Sequence, residues 1–174
     1  MPEGLSTTVT QVIEEALKEK KELEIADFAN IASAIAKGLK VNASEVAILA
    51  LAAGGKQLSF LVPQKLAKVG SIPITSTNAL AVRTVRDRRP EMINNFAAAK
   101  HATVFEAVAV SEKGAEPIQK ILSVPILLEG KGVGVNQVSR KGKTPGAAGP
   151  DFTPKDLQEL VETATVIAKC FKKA

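Results

Sequence analysis

The chain has 174 residues, 45% of them hydrophobic and 24% charged, with a formal net charge of +5. That length suits one domain with a full core, and the single cysteine, Cys170, excludes an intrachain disulfide or a multi-cysteine metal site. No basic, apolar, small-residue order of a signal peptide opens the chain, and the longest apolar run, Val46 to Ala53, is too short to cross a bilayer, so a cytoplasmic protein without membrane contact is expected.

Val9, Val12, Ile13, Ala16 and Leu17 recur at helical spacing, with Ser6 or Thr7 as the expected N-cap. Ile25, Phe28, Ala29, Ala32, Ile35 and Leu39 make a second stripe, expected to be ended by Gly38 and the polar Asn42-Ala43-Ser44 link. The run KEKKELE between them holds strong helix formers and no Gly or Pro, so either one continuous helix or two is compatible with it. Residues 1–24 are read as an N-terminal helical region and 25–174 as the main domain. Strands are predicted at 46–53 and 57–63 around a Gly54-Gly55 turn, and at 90–94 after Pro90. Between them a helix is expected from Ser76 to Arg86, capped by Ser76, Thr77 or Asn78.

Residues 1–63 hold six Lys/Arg against eight Asp/Glu, and residues 64–174 hold seventeen against ten. Arg83, Arg86, Arg88 and Arg89 form the densest basic stretch. They suit phosphate contacts or a solvated helix end, and the helix-end reading is preferred because the chain has no Trp or Tyr on which bases could stack, so no nucleic-acid partner is expected.

The last third is the most informative. An apolar run at 120–128, a turn at Glu129-Gly130-Lys131 and a second run at 132–140 predict a hairpin. Thr153, Pro154 and Asp156 then supply a side-chain cap, a fixed φ and a carboxylate at the start of a helix whose apolar face runs from Leu157 to Phe171. Adjacent strand residues face opposite ways, so of Asn136 and Gln137 one must point to the helix face and the other to the opposite face.

Arg89-Pro90-Glu91-Met92-Ile93-Asn94-Asn95, Ser123-Val124-Pro125-Ile126, Gly130 to Val135 and Phe152 to Leu157 stand in an order that resembles a GAF domain over about residues 25 to 172. The resemblance implies an α+β fold, a central antiparallel sheet flanked by helices with the N- and C-terminal helices packed together on one face. It implies a small-molecule-binding regulatory protein that acts through a signalling partner or as a homodimer joined by its terminal helices; the alternatives are an interaction module without a ligand and terminal helices whose apolar stripes are all intrachain core. It also implies a pocket on the other face, with Ser76, Asn94, Asn95, Phe96, Phe105, Glu106 and Ser123 converging there, where a buried Glu106 would favour a cationic or amide-bearing ligand and Arg83 turned inward an anion. Asn94→Ala is expected to weaken binding with little loss of stability, and charges at Val12 and Leu160 to separate a dimer.

The ligand and any cofactor stay unknown. His101 could be a haem ligand or a general base, but it has no second metal ligand or triad spacing beside it. No cysteine precedes Cys170 to attach a bilin chromophore. The GAF-type free methionine sulfoxide reductases use several cysteines, and the phosphodiesterase signature is missing because Asn94-Asn95-Phe96 runs into three alanines. No enzymatic activity is therefore expected, with His101, Glu106 and Ser123 the residues that an enzyme would use.

Overall fold

Apolar stripes of helical period fold here as separate helices, and those of period two as one sheet. In the computed structural model residues 4–18, 20–52, 54–63, 71–76, 79–96 and 118–171 are described. The first helix, α1 (Leu5–Ala16), starts ahead of the expected caps: its N-cap is Gly4, and Ser6 and Thr7 lie in the first turn. The earlier start puts Leu5, Val9 and Ile13 on one buried line, while Thr10 Oγ1 donates to the Ser6 carbonyl at 2.8 Å.

The second helix, α2 (Ile25–Leu39), is distinct from α1. At its start the Asp27 carboxylate accepts the Glu24 N–H at 2.7 Å and also pairs with Lys20. This reciprocal cap ends the ambiguity of the KEKKELE run: orphan amides are satisfied at Glu24, so the chain starts a helix there instead of continuing one. The helix ends at Leu39, between Gly38 and the Asn42 link, and its C-cap is Lys40, whose φ of 59° is left-handed. Gly38 is within the helix, where a Cβ would meet Leu5 Cδ1 at 2.7 Å, so its absence serves the contact between α1 and α2.

Six strands follow the order β3-β2-β1-β6-β5-β4, every pairing antiparallel. They are β1 (Val46–Ala52), β2 (Gln57–Val62), β3 (Ser71–Pro73), β4 (Glu91–Ile93), β5 (Ile118–Leu128) and β6 (Lys131–Lys141). The five expected strands are present. β3 was not anticipated: three residues carrying a proline give almost no periodic signal, and the strand exists by pairing with β2, helped by a 2.9 Å contact between the Ser59 and Ser71 hydroxyls. The β5–β6 hairpin turns on Glu129 (φ 54°) and Gly130 (φ 81°), the two positive-φ residues of a type I′ turn.

Two further helices are present among the described residues. The third, α3 (Leu80–Asp87), begins four residues after the expected start and has Ala79 at its N-cap with no side-chain cap. The fourth, α4 (Pro154–Ala168), has the expected cap, with Thr153 Oγ1 accepting the Asp156 N–H at 3.2 Å and Asp156 accepting the Thr153 N–H at 2.9 Å.

The sheet divides the core. On one face α2 and α4 pack on the sheet, in a core with Ile48, Leu122, Val124, Ile126 and Val138, and α1 packs against both helices. On the other, α3 packs on Ala47, Leu49, Ile121 and Val135 through Leu80, Ala81, Val82 and Val85. The alternation along β1, with Val46 and Ile48 on the first face and Ala47 and Leu49 on the second, is what lets one sheet serve two cores. Among the described residues no helix is long and apolar enough to cross a membrane.

Candidate functional site

The face of the sheet under α3 is largely apolar and is crossed by one polar row. Registers of β4, β5, β6 and β1 set Glu91 opposite Ser123, Ser123 opposite Gln137 and Gln137 opposite Ala47. Residues directly opposite in antiparallel strands share a face, so this row runs across four strands on the α3 side. The helix answers it with two residues. Thr84 stands over Ser123, their hydroxyl oxygens 2.7 Å apart, and Arg83 grips Glu91 with Nε at 2.9 Å and Nη2 at 2.7 Å from the two carboxylate oxygens.

The hydrogen bonds of the row have one consistent direction. Thr84 Oγ1 donates to the Leu80 carbonyl at 2.9 Å, which uses its only proton. Ser123 must then donate to Thr84, and Gln137 Nε2 donates to Ser123 Oγ at 3.1 Å. The result is a relay from amide to hydroxyl to hydroxyl to backbone carbonyl, buried throughout. Its members tie α3 to β5 and β6 and so fix the position of the helix on the sheet.

The other expected site residues have mixed places. Phe96 is buried in the α3-side cluster, together with the Arg83 and Ser123 environment just described. Ser76 is half-buried in the turn after β3, where its N–H donates to the Pro73 carbonyl, and Asn95 is exposed. Phe105, Glu106 and His101 lie outside the described residues. Asn94 has a structural job: its Nδ2 donates to the Phe152 carbonyl at 3.1 Å and its Oδ1 accepts the Phe152 N–H at 2.8 Å. The expectation that Asn94→Ala would leave stability intact is thereby corrected, because the substitution unpairs both backbone groups of Phe152 at the entrance to α4.

Phe152 is held from a second side. The Arg140 guanidinium lies 4.7 Å above its ring and donates to the carbonyls of Leu39 and Lys40, at the C-terminal end of α2. The remaining arginines of the basic stretch end α3: Arg88 Nη1 donates to the Gly130 carbonyl at 3.1 Å and Arg86 meets Asp87 at 3.4 Å.

Asn136 and Gln137 divide between the faces as their spacing requires. Gln137 joins the relay, whereas Asn136 faces the three-helix side between Ile48 and Val124, fully buried, with neither side-chain Oδ1 nor Nδ2 hydrogen-bonded. Thr84 and Glu91 were missed. Thr84 lies four residues after Leu80 on the helix's apolar line, and that spacing was the available signal. Glu91 had none, since its partner is chosen only when α3 docks. Cys170 is half-buried, and burial pushes its thiol above the ordinary range, so it is protonated at neutral pH. Among the described residues no three His, Cys, Asp or Glu side chains cluster to hold a metal ion.

No family model and no curated protein matches this sequence. Solved structures do match. The GAF domain of a phosphoenolpyruvate-protein phosphotransferase from Coxiella burnetii superposes with a TM-score of 0.70 at 10% identity, covering 95% of this chain and 91% of that one. A methyl-accepting chemotaxis protein fragment gives 0.62 at 16%, covering 95% and 93%. The free methionine-R-sulfoxide reductase of Neisseria meningitidis, solved with its substrate, gives 0.65 at 13%, covering 96% and 86%. At these identities the likeness is one of fold.

Proposed function

From a chain that has the GAF fold, we propose a regulatory module that binds a small molecule on the α3 side of its sheet and passes its state to a partner protein or a second copy. The observation that carries this reading is the unequal treatment of the two faces. Three long helices fill one face, while the other has, among the described residues, a single eight-residue helix and an apolar wall crossed by the row Glu91, Ser123 and Gln137. A few convergent polar groups on an apolar wall are the usual makings of a ligand site. The relay through Thr84 makes the position of α3 sensitive to anything that competes for Ser123 or Gln137.

Sensor and chemotaxis proteins among the structural neighbours support regulation; the reductases among them support small-molecule binding by the same fold. A cysteine-relay reductase is disfavoured because Cys170 has no second cysteine in the chain to resolve it.

The test is native mass spectrometry of the protein isolated from its own cells. A mass above that of the 18.3 kDa chain, released on denaturation as a small molecule that restores a raised melting temperature, is the expected result. Bare chain alone, with no melting shift across a metabolite panel, sinks the proposal. It would favour a second reading, an interaction module with a closed core, for which the mutual pairing of Thr84, Ser123 and Gln137 already speaks.

A further inference from the structure

The three-helix face of the sheet is not fully covered. Beyond the C-terminal ends of α1 and α4, and beside the start of α2, lies a cavity of about 550 Å³. Its floor is apolar. Ala50 and Leu61 come from the sheet, and Phe28 and Phe171 stand edge to face with ring centroids 5.8 Å apart. Leu61 reaches this side through an irregularity of β2: the register passes from Ile48↔Val62 to Leu49↔Phe60, leaving Leu61 as the extra residue of a bulge. Phe171 is seated close to β6 by Gly134, where a Cβ would come within 2.9 Å of the phenylalanine ring and 2.3 Å of the Leu49 carbonyl.

The rim is cationic. Lys21 and Lys169 line the cavity, both are exposed, and neither has a carboxylate within ion-pairing distance among the described residues. Glu22, also at the rim, is engaged by a contact of its own. The volume is that of a small-ligand site, and the split between an apolar floor and two uncompensated ammonium groups is complementary to one kind of molecule.

We propose that this cavity binds an amphipathic carboxylate, its hydrocarbon or aryl body on Ala50, Leu61, Phe28 and Phe171 and its anionic end between Lys21 and Lys169. The site is on the opposite face from the one argued under the proposed function and stands or falls separately from it. Ligand here would bridge the end of α4 to the end of α1 and the start of α2.

Cys170 lines the same cavity and is the only thiol in the chain, which gives a local readout. Decanoate is the probe. It should slow alkylation of Cys170, read as an intact-mass change at mildly alkaline pH, by about tenfold when saturating, while decanamide, lacking the charge, should need about tenfold more to do the same. A variant carrying both Lys21→Glu and Lys169→Glu changes only exposed side chains, should melt as the parent does, and should lose the protection by decanoate. The proposal is overturned if decanoate gives no protection, if the double variant or the neutral amide is protected equally, or if only anionic phospholipid vesicles protect Cys170, since the last result would make this end a membrane-facing surface.

Discussion

Ser123 has one proton to give and gives it to Thr84, whose own proton is committed to the Leu80 carbonyl. Ser123→Ala leaves the buried Gln137 Nε2 without its acceptor and should cost about 1–3 kcal/mol. Thr84→Val alone should also destabilise, but the double substitution should cost less than the sum, with a coupling of about 1 kcal/mol in chemical denaturation. Strict additivity would mean that the hydroxyls do not interact. Asn136 presents the opposite case, a fully buried amide with no partner among Ile48, Val124 and their neighbours. Burial of such a group is costly, so Asn136→Leu should raise stability by about 1–3 kcal/mol in the same assay. A loss of stability would show that the amide is satisfied in solution.

At the scale of elements, helix starts depended on what each first turn had to satisfy. The cap of α4 was visible in Thr153, Pro154 and Asp156 because all its partners lie within four residues. α3 offered Ser76 as a cap and did not use it; its first turn is buried against the sheet through Leu80 and Ala81, and burial of that pair decides where the helix begins. α2 depends on Asp27. The Glu24 N–H, first, and then Lys20 hold its carboxyl below the ordinary carboxylate value of about 3.9. A lowered folded value means that the stability it supplies is complete above the ordinary value and is lost as the pH falls through the lower one. Protection of the Asp27 and Phe28 amides, measured against the intrinsic exchange rate at each pH, should therefore fall as the pH is taken below about 4, before that of the sheet, and Asp27→Asn should remove that acid step. Exchange that rises together with that of β5 and β6 would place the acid transition elsewhere.

Across the whole molecule, the terminal helices expected to join two copies have spent most of their apolar surface within one chain. Leu5, Val9 and Ile13 of α1 and Leu160, Ala164 and Ile167 of α4 are all buried in the shared core. Leu160 is 0% exposed, so a charge placed there would unfold the chain rather than separate a dimer. Val12 of α1 and Leu157, Val161 and Val166 of α4 remain half-buried, and Val12 and Val161 are the pair proposed to serve an interface. If two copies pair through α1 and α4, Val12→Glu with Val161→Glu should give a folded monomer by sedimentation; a parent protein that already sediments as a monomer at micromolar concentration removes the dimer. Asn94, Arg140 and Phe152 form another long-range device, tying the end of β4, the end of α2 and the start of α4 at one residue.

The local pattern of the chain was enough to determine the α+β fold, the five expected strands, the β5–β6 hairpin and the division of Asn136 and Gln137 between faces, because periodicity, turns and caps act over a few residues. Tertiary structure alone decided the three-residue β3, the uncapped start of α3, the role of Asn94 and the pairing of Arg83 with Glu91. In each case the partner is distant in sequence or invisible to period, as with the 58 residues between Asn94 and Phe152, and hydrogen bonds are satisfied by whichever group packing delivers. The candidate site divides the same way: Ser123 was legible as a polar residue in an apolar strand, but its meaning depends on Thr84, 39 residues away, which only the docking of α3 brings within 2.7 Å.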